Sequence, residues 1–347
     1  MYYILNIFNY NQPFQLESGK TLPGFHLAYT TLGELNTEKD NVVWVFHALT
    51  ANSNAAEWWP GLIGEGKLFN PEEHFIICVN MPGSCYGSIS PLDNEYFYHD
   101  FPFFTIKDMV AVYQKLKDYL VIDKIHIGIG GSMGGQQLLE WAVTEPDLFE
   151  LIIPIATNAV HSPWAIAFNA SQRISIETDA TWKEKNELAG INGMKAARSI
   201  ALLSYRNYAT YAEDQSEETT TVWDGFKSES YQRYQGDKLA KRFNAFSYYF
   251  LSKSMDSHNI GRGSKSIIEA LNSIQAKTIV IGISSDILFP PTEQKFIAAN
   301  ITDAEFNIIE SKYGHDGFLL EFSQIENIIT NFLKNSNVPN SAVQLNK

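Results

Sequence analysis

The sequence predicts an α/β protein: a mostly parallel central sheet covered by helices, with a block of helices inserted into it. Two observations carry this expectation. Short β-rich runs alternate with helical patterns in both outer parts of the chain, as parallel strands joined by crossover helices require. Between 156 and about 265 the strand runs stop, and charged helical segments rich in Tyr, Phe and Trp take over until the strand pattern resumes near Lys277. The expected division is therefore 1–155 with 266–335 as the sheet-bearing core, 156–265 as a helical lid, and 336–347 as a polar, disordered tail.

In chain order, residues 25–35 read as a hairpin strand on the sheet edge. Residues 41–46 and 74–79 are continuous apolar runs of the kind that form strands buried on both faces. An amphipathic stretch beginning near Phe104 leads into the strand 125–129. A helical pattern carried by Gln137, Leu138, Leu139, Trp141 and Ala142 comes after it. Residues 151–155 and 278–283 complete the central strands, and the polar stretch 216–221 suits a loop inside the inserted block.

Composition narrows the function. A chain of 347 residues that is 45% hydrophobic and 19% charged can bury a large core. Its 26 Lys+Arg against 39 Asp+Glu give −13, so no basic face is available for a nucleic-acid backbone. A small anionic substrate stays open, because a few local cations suffice to hold one. Cys78 and Cys85 are too few for a disulfide framework and lack metal-ligand spacing, so both are expected to be reduced. The apolar N-terminal run lacks a basic leader and is broken by Asn and Gln. No segment approaches the roughly 18 apolar residues of a membrane span. A cytoplasmic protein is expected.

The strand 125–129 runs into Gly130-Gly131-Ser132-Met133-Gly134-Gly135 and then into the helical pattern. A serine hydroxyl is a weak nucleophile, and it needs exposure on a tight turn and a base within reach. A G-x-S-x-G sequence at a strand-to-helix junction is the nucleophile elbow of the α/β-hydrolase fold. That fold orders its partners Ser, acid, His along the chain. Asp286, at the end of the strand 278–283, is the candidate acid, and His315, after one further strand-like run, is the candidate base. Asp286 could alternatively cap the helix announced by Pro290-Pro291. His126 reads as a core residue, and His26, His74, His99, His161 and His258 have no triad position. Two N–H groups should stabilise the oxyanion: that of Met133, after the nucleophile, and that of Leu49, in the early loop His47-Ala48-Leu49-Thr50. His47 reads as a structural member of that loop.

The triad types leave open whether water or a second substrate resolves the acyl-serine. Several motifs bear on this. The chain resembles the homoserine O-acetyltransferases, a branch of the α/β-hydrolase superfamily, from about Phe14 to Leu333. The resemblance is carried by residues 47–50, 57–64, 83–88 and 131–136, by Phe168-Asn169 with Gln172-Arg173, and by Ala197-Arg198 with Ser204-Tyr205. Arg242-Phe243 with Ser247-Tyr248 and Gly314-His315-Asp316 complete it. It implies a ping-pong transfer of the acetyl group of acetyl-CoA to L-homoserine, in methionine biosynthesis, with no metal or bound cofactor. It also implies that Arg198 holds the acceptor carboxylate, that Tyr205 supports Arg198, and that Asp316 receives the acceptor ammonium. A homodimer built through the lid is implied as well. Arg173 is a second cation that reads as structural. Ala51 stands where the family commonly has glycine. Succinyl transfer, a serine acceptor, an esterase or thioesterase, and a catalytically silent binding protein are the alternatives.

Overall fold

A computed structural model describes residues 4–335; the expected tail, 336–347, lies outside the described residues. The chain starts with β1 (Leu5–Tyr10), a small hairpin of β2 (Phe14–Gln15) and β3 (Thr21–Leu22), and then β4 (Phe25–Leu32). β5 (Val42–Phe46) follows, then the short helix α1 (Ala55–Trp58) and β6 (Phe75–Val79). The helix α2 (Ile106–Tyr119) leads into β7 (Ile125–Gly131), α3 (Met133–Thr144) and β8 (Phe149–Ile155).

Eight strands form one sheet in the order β1-β4-β6-β5-β7-β8, continued by β9 (Lys277–Ile283) and β10 (Ala304–Ile309). β1/β4 and β4/β6 pair antiparallel; all pairs from β6 to β10 are parallel. β5 shows why. Its Val42, Trp44 and Phe46 enter the core on one face of the sheet, while Val43 and Val45 enter the core on the other. A strand apolar on both sides is stable only where helices cover both faces. The expectation that residues 25–35 lie at the sheet edge is corrected: β4 is flanked by β1 and β6, and β1 is the edge. Asn6 and Asn9 interrupt the apolar run of β1, and only Phe8 in it is buried, so the strand carries little pattern of its own.

Helix boundaries have local causes. The Thr105 hydroxyl caps Asp108 N–H while Asp108 returns a bond to Thr105 N–H, which fixes the start of α2. Between β8 and β9 the chain leaves the sheet for α4 (Pro163–Glu177), α5 (Ile191–Tyr205), α6 (Tyr208–Asp214), α7 (Lys227–Ala240) and α8 (Ala245–Asp256). α9 (Ile267–Ser273) brings it back to β9. After β9 come α10 (Pro291–Ala299) and, beyond β10, α11 (Phe322–Asn335), which buries Ile325, Ile329, Phe332 and Leu333 on one face. The loops that leave the carboxyl ends of β5, β7, β9 and β10 gather on one side of the sheet, beneath the inserted helices, where open α/β sheets hold their ligands.

Candidate active site

The turn from β7 to α3 is sterically fixed. Ser132 sits at φ 57° and ψ −126°, a left-handed strain that a non-glycine residue keeps only when its surroundings dictate it. Ser132 N–H donates to Ile155 O at 3.0 Å, and the Thr157 hydroxyl donates to Ser132 O at 2.8 Å. A Cβ on Gly130 would lie 2.6 Å from the Gly134 backbone, and one on Gly134 would collide with Phe46 O. Both positions therefore need glycine so that α3 can close onto β7 and β5.

His315 and Asp286 meet from two different loops. His315 Nδ1 lies 2.7 Å from Asp286 Oδ2, and both side chains are buried. The other Asp286 oxygen, Oδ1, accepts the N–H groups of Leu288 (2.8 Å) and Phe289 (2.9 Å). Asp286 thus shapes its own turn and orients the imidazole at once; it does not cap α10, whose N-cap is Pro290. The ring of His315 is packed between Phe289 (5.1 Å between centroids), Phe318 (5.5 Å) and Tyr205 (5.8 Å). With Nδ1 engaged, Nε2 is the nitrogen left for the cavity that His315 shares with Ser132. No hydrogen bond joins the serine hydroxyl to the imidazole among the described residues, a looseness common before substrate binds.

That cavity holds about 360 Å³ and is lined by Leu49, Ser132, Arg198, Tyr205, His315 and Asp316, among others. Met133 is the first residue of α3, so its N–H has no helical acceptor. Leu49 N–H has no backbone acceptor among the described residues. The loop that carries Leu49 is stapled by His47: its Nδ1 lies 2.9 Å from Ala48 O, and its Nε2 accepts Met81 N–H at 3.1 Å. Full burial pushes the His47 pKa down to about 4, which keeps the ring neutral and able to accept that bond. Ala51 also lines the cavity and is absent from the residues with positive φ, so its backbone has no need of glycine.

On the side of the inserted helices, Arg198 and Tyr205 are seven residues apart on α5, and the guanidinium lies 5.4 Å from the Tyr205 ring centre. Burial raises the Tyr205 phenol pKa. Asp316 faces Arg206, whose Nε is 3.2 Å from Oδ2, an ion pair without hydrogen-bond alignment. The loop 312–316 also interlocks with the corner between α5 and α6. The Thr210 hydroxyl donates to Lys312 O, Lys312 pairs with Glu213 at 2.8 Å, and a Cβ on Gly314 would come within 2.9 Å of Tyr205 O. Arg242, after α7, donates to Thr50 O in the Leu49 loop and to the Tyr86 hydroxyl (2.6 Å). Arg206, Lys238 and the bridging contacts of Arg242 were not visible in the sequence, where nothing local marks a contact made across so many residues.

The other histidines lie elsewhere. His126 is buried in β7 and pairs with Glu150 at 2.7 Å. His161 is buried in a polar cluster. Its Nδ1 lies 3.1 Å from Gln136 Nε2, its Nε2 is 3.2 Å from Asn169 Nδ2, and Asp256 Oδ1 stands 3.7 Å away. Asp256 in turn binds Arg173 at 2.5 Å, so Arg173 is spent within this cluster and does not line the cavity. Among the described residues no group of three or more His, Cys, Asp or Glu could hold a metal ion, and no helix is long and apolar enough to cross a membrane. Cys78 and Cys85 are free, with thiol pKa values raised by burial.

Comparison with known proteins gives the fold and the family. The alpha/beta hydrolase fold family matches residues 41–322. A homoserine O-acetyltransferase of Cyclobacterium marinum is 47% identical over 336 residues, covering 95% of each chain. The crystal structure of a homoserine O-acetyltransferase from Bacillus anthracis superposes with a TM-score of 0.88 at 24% identity, over 96% of this chain and 98% of that one. An acetylester hydrolase from Corynebacterium glutamicum superposes at 0.85 with 23% identity, over 95% and 96%. Such structural likeness shows the fold; transfer and hydrolysis share it.

Proposed function

This chain belongs to the α/β-hydrolase fold family and, within it, to the homoserine O-acetyltransferases, and on that premise we propose that it transfers the acetyl group of acetyl-CoA to the side-chain hydroxyl of L-homoserine. The observation that carries the reading is one cavity lined by a nucleophile, a base, a cation and a carboxylate: Ser132, His315, Arg198 and Asp316. An amino-acid acceptor presents a carboxylate and an ammonium beside its hydroxyl. Arg198 would bind the first with a two-pronged bond, helped by Tyr205, and Asp316 the second.

In the first half-reaction His315 Nε2 takes the Ser132 hydroxyl proton as the oxygen attacks the thioester carbonyl. The N–H groups of Met133 and Leu49 receive the oxyanion. Collapse breaks the C–S bond, and the thiolate leaves as CoA with the proton held by His315. In the second, His315 takes the homoserine hydroxyl proton as that oxygen attacks the acetyl-serine. Collapse then returns the proton to Ser132. Asp286 holds the ring in the Nδ1–H tautomer and stabilises the imidazolium in both. The thioester supplies the chemistry, so neither metal nor cofactor takes part.

We read the protein as cytoplasmic, in keeping with its two free thiols. We read it as a homodimer joined through the inserted helices, where Leu203, Tyr208 and Trp223 are exposed. The test is a panel of donors and acceptors. Acetyl-CoA should release CoA thiol rapidly only when homoserine is present, and faster than with serine or with succinyl-CoA. Release that ignores every amino-acid acceptor would instead make the protein an esterase or thioesterase.

A further inference from the structure

The chain has six arginines. Four of them meet a carboxylate: Arg173 with Asp256, Arg206 with Asp316, Arg233 with Glu229, and Arg262 with Glu17. Arg198 and Arg242 form no ion pair among the described residues, and both line the Ser132 cavity. Lys238 lines it too and is likewise unpaired there. In a chain of net charge −13, uncompensated cations collected at one opening mark a place built for anions.

Homoserine accounts for Arg198 alone. Lys238, in the last turn of α7, and Arg242, four residues on, are exposed at the mouth of the cavity. Arg242 uses Nη1 for Thr50 O and the Tyr86 hydroxyl. Among the described residues no protein acceptor takes its Nε or Nη2, the edge that grips an oxyanion through two parallel bonds. Glu57 lies on the same lining, held by Asn54 at 3.1 Å, so the rim is cationic by one charge.

We propose that Lys238 and Arg242 form the phosphate-binding rim for the acyl donor, holding its phosphate groups outside while the thioester arm reaches Ser132. This rests on the transferase reading, since a donor without phosphates would have no use for the rim. Because Arg242 also holds Thr50 O, next to Leu49, a donor seated there steadies the loop that supplies an oxyanion N–H.

The test compares acetyl-CoA with S-acetylpantetheine, which keeps the thioester and lacks every phosphate, on the full chain. The unaltered protein should prefer acetyl-CoA in kcat/KM. Lys238→Glu and Arg242→Ala should each cut that preference about tenfold, the scale of one charge-assisted contact at a solvent-exposed site, whereas Lys238→Arg should retain it. Added salt should raise the KM for acetyl-CoA and spare that for the short thioester. Equal losses with both donors would make these residues mere supports of the fold and overturn the rim. So would an unaltered protein that uses both donors alike while still needing homoserine. Thiol release independent of homoserine would remove the functional reading itself, a failure distinct from the other two.

Discussion

Among the described residues two buried histidines face an aspartate, and one of them, His315, lines the cavity that holds Ser132. His315 meets Asp286 through Nδ1 at 2.7 Å, and its other nitrogen is free for the chamber it shares with Ser132. His161 has Asp256 at 3.7 Å, but both ring nitrogens already lie against amide side chains and Arg173 neutralises the carboxylate. The chemistry of the residues is the same; the satisfaction of their atoms is not. A histidine whose every nitrogen is occupied braces the fold, whereas one oriented through a single nitrogen is ready to move a proton.

Exchanging the carboxylates would break or sharpen that contrast. Asp286→Asn should lower turnover about 10⁴-fold, because the amide favours the wrong imidazole tautomer, with little change in melting temperature. The measurement is single-turnover acetylation of Ser132 followed by mass spectrometry, and a loss under tenfold would deny Asp286 its orienting part. Asp256→Asn should reverse the pattern, costing about 2–3 kcal/mol of stability by urea unfolding while kcat stays within a few-fold. The cost is below that of a fully buried pair, since Arg173 and Asp256 remain 14% and 17% exposed. A large drop in kcat without loss of stability would contradict the assignment of this cluster to the fold.

The smallest effect is in the acid limb. Burial, then the nearby His258 and Arg173, pushes the His161 pKa down from 6.5 to about 3, and burial pushes His258 down to about 4. Unfolding releases both rings to their ordinary value, so the unfolded chain binds more protons as pH falls below about 6.5. The stability these neutral rings contribute is complete above that pH and is lost on the way down toward about 4 for His258 and about 3 for His161. Glu140 and Glu293, raised by burial to about 7, act the other way: their contribution fades as pH rises from 4.5 to 7. His161→Gln should remove one proton from the balance, flattening the stability-versus-pH slope by about 1.4 kcal/mol per pH unit between pH 6 and 4. An unchanged slope in denaturant titrations would mean that His161 already carries a proton in the fold.

Much of the sheet could be read from local pattern. The runs at β5, β6, β7, β8 and β9 are apolar on both faces, and Ser132 lies between Gly130 and Gly134, where neighbouring backbone leaves no room for a Cβ. Asp286 and His315 followed from chain order, and the structure brings them together. Arg198, Tyr205 and Asp316 came only from resemblance, because a cation on an inserted helix has no local mark that separates it from a surface charge. The His161–Asp256 cluster and the Arg206–Asp316 pair were illegible for another reason: each joins residues about 100 apart, and neither partner is unusual for its own segment.

The interlock between the loop 312–316 and the α5–α6 corner ties the two together through several contacts. Tyr205 packs against the His315 ring, Arg206 pairs with Asp316 and Thr210 bonds Lys312 O, so a displacement of the α5–α6 corner would be felt at His315 and Asp316 together. On the proposed assignment, a displacement that opened the cavity to water would also disturb the base that has to activate that water.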